Sequence, residues 1–260
     1  MALKNIRSVA LLVLLFSCKQ PGIPADTHVL TASYGTKYTL DVHLPDGYDA
    51  GKPGGYPLLL YTDAAYMKPD LRKALKRNGL ENTLITAGIG YKGKNRRTED
   101  LSPTATALDG TGNAEAFAGF IREEVLEYLH THYTVANTPG TLTFCGHSLG
   151  GLFGAYLFLK EPGLFTNYLL ISPSLMWDEQ AIFEIEAAAR PQSAIPEARV
   201  FVAAGSLETG GFHTTRRHLT GLFEKYYPHV TWQEKVYRNK DHSGVIAPAV
   251  SEGLEYIYRR

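Results

Sequence analysis

Residues 141–159 read TLTFCGHSLGGLFGAYLFL: an apolar run, a glycine-rich turn and a longer apolar run. The first run, 141–145, is short and predicts a buried strand. The second, 149–159, is long enough for a helix and stops before Pro162. Between them Gly146-His147-Ser148-Leu149-Gly150 fits Gly-x-Ser-x-Gly in the strand–turn–helix setting its chemistry needs. A serine on so sharp a turn is forced into a strained conformation that lifts its hydroxyl clear of the sheet. The glycines on either side, and Gly151 after them, allow neighbouring backbone to close around the turn. Ser148 is therefore the candidate nucleophile. It sits at a helix N-terminus, where developing negative charge is favoured, and the Leu149 amide is the first candidate oxyanion donor.

Outward from this turn, strands and helices alternate. Strands are expected at 29–33 and 38–44, joined about Tyr34-Gly35-Thr36, and then at 57–61, 83–89, 168–171, 199–203 and 231–237. Helices are expected at 69–77, at 181–189, at 214–226 and from about 245 to 258. A longer one begins after Asn113, read as its N-cap, with Phe117, Ile121, Val125 and Tyr128 at helical spacing. Segments 46–55 and 90–112 read as loops. The alternation predicts an α/β fold: a mostly parallel sheet, helices on both faces, and an antiparallel N-terminal edge.

A neutral serine needs a base. In such sheets reacting groups gather beyond the carboxyl ends of the strands. His242 follows the last strand in the loop Arg238-Asn239-Lys240-Asp241-His242-Ser243-Gly244 and so reaches that edge. His229 precedes the same strand and lies at the opposite edge. His213 and His218 belong at or within a helix, and His147 adjoins the serine too closely to fold back on it. The acid should leave the preceding strand at the same edge, which selects Glu208. Asp178 is the competitor, Asp241 is too near His242, and a Ser–His dyad without a strong acid stays open. The second oxyanion donor is expected in Thr62-Asp63-Ala64-Ala65-Tyr66, at Ala65 first and Ala64 next.

The 260 residues suit one large domain, and 44% of them are apolar or aromatic, enough for a sizeable core. Lys plus Arg (26) balance Asp plus Glu (26), leaving no basic excess for nucleic acid. No cysteine pair or paired-histidine spacing supports a metal, since His130 and His132 fall on different helix faces. Cys145 lies in a strand pattern and reads as core. Near the N-terminus, Lys4 and Arg7 precede the apolar run 9–16, too short to span a bilayer and read as a secretory signal over 1–18. Leu15-Phe16-Ser17-Cys18 resembles a bacterial lipoprotein cleavage box, with Cys18 lipidated; an ordinary signal or a buried first helix are the alternatives. A linker over 19–26 and a domain over 27–260 follow, and the expected location is secreted or cell-envelope, lipid-anchored.

Several segments together resemble the putative-esterase family of α/β-hydrolases. They are Gly88-Ile89-Gly90-Tyr91, Arg97-Thr98-Glu99-Asp100-Leu101-Ser102-Pro103-Thr104, Gly146 to Gly151, and Ser172 to Trp177. The family includes siderophore esterases, feruloyl and acetyl esterases of carbohydrates, S-formylglutathione hydrolases and mycolyltransferases. The resemblance implies the α/β-hydrolase fold and a serine carboxylic-ester hydrolase with no cofactor and no metal. The implied substrate is a carbohydrate acyl ester or a siderophore-type lactone, met as a small-molecule or carbohydrate partner. Arg97 becomes a candidate substrate contact, or else a loop staple to Asp100. Trp177 becomes a candidate pocket wall, or else core. Asp63-Ala64 departs from the Asp-Gly often found there, and some members lack a strong acid. An acyltransferase to an alcohol and a silent binding lipoprotein on the same scaffold are the alternatives.

Overall fold

The computed structural model describes residues 26–108, 110–190 and 196–258. The expected signal and Cys18 lie outside them. Eight strands form one sheet in the order β1-β2-β4-β3-β5-β6-β7-β8. They are β1 (Asp26–Thr31), β2 (Lys37–His43), β3 (Leu58–Tyr61), β4 (Ile85–Tyr91), β5 (Leu142–His147), β6 (Asn167–Ile171), β7 (Ala198–Gly205) and β8 (Val230–Tyr237). β1 and β2 pair antiparallel, as do β2 and β4; every other pairing is parallel. This is the α/β-hydrolase architecture, with its antiparallel N-terminal edge.

Because side chains alternate across a strand, each central strand feeds both faces. Leu58, Leu60, Phe144, Tyr168, Leu170, Val200 and Val202 share one core. Leu59, Tyr61, Cys145, Leu169, Ile171, Phe201 and Ala203 share the other. Helices α1 (Ala64–Asn78) and α8 (Ile246–Tyr258) cover the second face. The first is covered by α2 (Arg97–Leu101), α3 (Ala114–Phe120), a π-helical turn (Ile121–Val125), α4 (Leu126–His132), α5 (Leu149–Lys160), α6 (Trp177–Ala189) and α7 (Gly210–Tyr226). α5 is buried all round from Gly150 to Leu159, as expected of a helix enclosed by others. Cys145 is fully buried, and burial pushes its thiol up to about 12, so it is a core residue.

Four local expectations change. α1 begins at Ala64, so Pro69 lies inside it rather than at its start. Ala65 and Pro69 are both exposed, which lets water satisfy the carbonyl the proline cannot serve. Segment 90–112 holds the short helix α2. The helix after Asn113 carries the π turn, which lets Phe120 with Ile121, and Val125 with Leu126, face inward as consecutive pairs. Asn113 makes no capping bond; its Nδ2 donates to Asp100 Oδ1 at 3.0 Å.

Positive φ at non-glycine residues concentrates at one edge of the sheet. Ser148 and Ser172 directly follow β5 and β6, Asp63 lies two residues past β3, and Asn239 two past β8. Strain of this kind persists only where surrounding structure over-determines it.

Candidate active site

Ser148 has φ 61° and ψ −119°, a region open to glycine and costly for other residues. Three backbone bonds hold it. Its N–H donates to Ile171 O at 3.0 Å, and its carbonyl accepts from Leu152 N at 3.0 Å and Ser174 N at 3.1 Å. The flanking glycines are sterically required. A Cβ on Gly146 would collide with the Gly150 carbonyl, and one on Gly151 would meet Pro173 Cα at 2.9 Å. Leu149 opens α5, so its amide has no intrahelical acceptor and is free to donate at this edge.

His242 and Glu208 meet as the topology requires. Nδ1 of His242 lies 2.6 Å from Glu208 Oε1. The other oxygen, Oε2, accepts from Gly205 N at 2.7 Å and Ser172 Oγ at 2.9 Å. The carboxylate is fully buried, whereas the imidazole is 38% exposed, so the acid is shielded and the base stays accessible. Burial alone would raise the Glu208 pKa. Hydrogen bonds from His242, the Gly205 amide and Ser172 outweigh it and hold the carboxyl below its ordinary value. An ionised acceptor at Oε1 makes Nδ1 the donor, which leaves Nε2 as the basic nitrogen. The ring lies between His147 and Phe212, with centroids at 4.5 and 4.9 Å. The Ser148 hydroxyl is 3.3 Å from Ser174 Oγ and forms no hydrogen bond to His242 among the described residues. A hydrogen bond to Nε2 would need this hydroxyl to turn away from Ser174.

Three residues that sequence reasoning passed over complete the site. Ser172 is buried with φ 43°, and its hydroxyl serves the acid. Ser174 shares the Ser148 hydroxyl. His147 is buried, and its Nε2–H donates to the His242 carbonyl at 2.7 Å, pinning the base's main chain. The signal for His147 lies in the motif itself, where closeness to Ser148 excludes it as base but not as a support for the His242 main chain.

Burial, then the neighbouring His242, pushes the His147 pKa down to about 4. A depressed histidine stabilises the fold fully above its unfolded pKa of about 6.5, and that contribution is lost as pH falls toward 4. Acidification from pH 7 to 4.5 is therefore expected to cost about 2 kcal/mol through this group. Thermal melts of His147→Gln across that range should show a flatter decline than the wild type. Parallel curves would remove His147 as the cause.

The remaining candidates are placed as follows. Arg97 does not staple to Asp100. Its Nε and Nη2 clasp Asp63 Oδ1 and Oδ2 at 2.7 and 2.9 Å, and Nη2 reaches His147 O at 3.3 Å. It is Arg96 that lies by Asp100. Trp177 is partly buried against the core at the start of α6, and its Nε1 is buried with no hydrogen-bond partner. Asp178 is exposed in a left-handed stretch, with its carboxylate outside the acid's network. Asp241 Oδ1 accepts the Gly244 amide at 2.7 Å. Ala64 and Ala65 open α1, whose early amides lack intrahelical acceptors. His130 and His132 turn back to the Leu126 and Tyr128 carbonyls, and His218 stacks on Phe183. Among the described residues no group of three or more His, Cys, Asp or Glu could hold a metal ion, and no helix is long and apolar enough to cross a membrane.

A family model described as putative esterase matches residues 31–242. A siderophore enterobactin esterase from Emericella nidulans is 25% identical, over 85% of this chain and 89% of its own length. The ferri-bacillibactin esterase BesA of Bacillus subtilis is 30% identical, over 51% of this chain and 52% of its own, so that match spans about half of each. Among solved structures, the BES protein from Bacillus cereus superposes with a TM-score of 0.81 at 22% identity, covering 97% of this chain and 99% of that one.

Proposed function

The chain belongs to the putative esterase family, and from that premise we propose that it is a serine ester hydrolase that forms an acyl-enzyme on Ser148. The observation that carries this reading is the 2.6 Å Nδ1–Oε1 bond between His242 and Glu208, made at the sheet edge where Ser148 is held at φ 61°. Ser148 Oγ attacks the ester carbonyl as Nε2 of His242 takes its proton. Glu208 keeps the imidazole in the required tautomer and stabilises the imidazolium. The Leu149 amide and the early amides of α1, with Ala65 the assigned donor, hold the oxyanion, each donor contributing about 3 kcal/mol in the transition state. His242 then protonates the leaving alcohol. Water, deprotonated by the same imidazole, opens the acyl-enzyme and releases the acid.

The substrate class follows from the relatives. One is named a siderophore enterobactin esterase and another a ferri-bacillibactin esterase, and a siderophore-type lactone is the substrate we assign in preference to a carbohydrate acyl ester. Trp177 at the start of α6 is a candidate wall for such a ligand. With Cys18 lipidated, the reaction takes place at the cell envelope.

Three measurements test the proposal. A fluorophosphonate probe should label the wild type and not Ser148→Ala, and a silent binding protein would take no label at all. Specificity constants for a catechol trilactone, a feruloyl ester, an acetylated sugar and an aryl ester should rank the trilactone first. A feruloyl or acetyl-sugar ester preferred by more than about tenfold, which is 1.4 kcal/mol in the transition state, would move the substrate assignment. Acceptor alcohols that outcompete water would make the enzyme a transferase.

A further inference from the structure

Asp63 occupies the N-cap position of α1, where an aspartate ordinarily bends back and accepts a hydrogen bond from an early amide of its own helix. Here it does not. Its backbone is left-handed, with φ 57° and ψ 47°, and its side chain makes no capping bond. Its carbonyl accepts the Tyr66 and Met67 amides, both at 2.9 Å. The amides before those, at the very start of the helix, keep neither an intrahelical nor a side-chain acceptor. The carboxylate is instead drawn into the planar fork of Arg97, at 2.7 and 2.9 Å. It also lies over the first turn of α5, since a Cβ on Gly150 would be 3.6 Å from Asp63 Oδ2. The same guanidinium reaches the carbonyl of His147, the residue directly before Ser148, at 3.3 Å.

From these contacts we infer that Arg97 is a positioning residue for the oxyanion hole, tying the α1 donor turn after β3 to the nucleophile turn after β5. It acts in two ways. By holding the Asp63 carboxylate it prevents self-capping and leaves the α1 amides bare for substrate oxygen. By neutralising that carboxylate it removes a negative charge that would oppose the developing oxyanion. The guanidinium fits both tasks because its rigid fork engages both carboxylate oxygens and still has an N–H for the carbonyl; a lysine ammonium is a single point charge. The inference rests on the esterase reading and assigns Arg97 to the reaction step rather than to ligand recognition.

A neutral aryl acetate separates the two roles, since it offers nothing anionic for an arginine to bind. In Arg97→Met, kcat for this ester should fall about 100-fold, the size of losing one oxyanion donor, with KM within twofold. The inactivation rate by a fluorophosphonate should fall in step. Arg97→Lys should recover only part of the loss. Asp63→Asn alone should cost less than Arg97→Met, and adding it to Arg97→Met should restore part of the activity, since it removes the unpaired charge while its amide oxygen can still cap the helix. That rescue is a response that damage to loop packing would not give. Melting temperatures identify any variant that does not fold, in which case the lysine and asparagine variants carry the test. An unchanged kcat on the neutral ester, with a raised KM confined to anionic esters, overturns the inference, as do losses that multiply in the double variant. A wild type that neither cleaves esters nor labels at Ser148 instead removes the esterase reading, and this inference goes with it.

Discussion

Ser148→Ala should lower kcat for aryl-ester cleavage by about 10⁶-fold, leaving only what the amide donors and substrate binding provide. KM should change little, because the hydroxyl contributes mainly after binding. The same position allows a separate reading of its strain. Alanine inherits the backbone at φ 61° and ψ −119° and its penalty, whereas glycine reaches that region readily. Ser148→Gly should therefore be as inactive as the alanine variant yet more stable than it by about 1 kcal/mol, measured as a higher denaturation midpoint. If glycine is no more stable than alanine, the turn is not strained in solution. If the alanine variant retains more than about a hundredth of the wild-type rate, where loss of a triad nucleophile costs far more, another group is the nucleophile.

Glu208→Gln should be nearly as severe, with kcat down about 10⁴-fold. The reason lies in the two donors at Oε2. Gly205 N–H and Ser172 O–H both require an acceptor there, so a glutamine must place its oxygen at that site and its NH₂ toward His242. Nδ1 then has to accept, the ring proton moves to Nε2, and the imidazole cannot take the proton of Ser148. Glu208→Ala removes this conflict and should retain more activity than the glutamine variant. A loss below about tenfold in the glutamine variant, far short of the usual cost of a mis-set tautomer, would leave a Ser–His dyad as the working site.

The parts of this site legible in the sequence were those fixed by topology. Once 141–159 is read as strand, turn and helix, the sheet edge holding Ser148 is determined, and the loops after β7 and β8 must deliver Glu208 and His242 to it. The contacts that escaped notice depend on side-chain direction across long sequence separations. Nothing local to Arg97 distinguishes a partner two residues past β3 from Asp100 nearby. Asp63 gave no warning of its left-handed backbone, because aspartate serves both as an ordinary N-cap and in that conformation. Ser172 enters only as the first residue of a family-like segment, since its hydrogen bond to Glu208 appears only when β6 and β7 lie side by side. Pro69 misdirected the start of α1 because proline is commonest at the first position of a helix, and exposure let this helix accept it further in.

The loops bearing the acid and the base are themselves joined. Ser206 N and Leu207 N donate to the Tyr237 and Lys240 carbonyls, both at 2.9 Å, Asn239 N donates to Ser206 Oγ at 2.9 Å, and a Cβ on Gly205 would strike the Lys240 carbonyl. The Glu208–His242 pair thus comes as one cassette at the end of the β7–β8 pair, apart from the loops after β3 and β4. On the proposed mechanism, a change in either of these two loops therefore disturbs acid and base together.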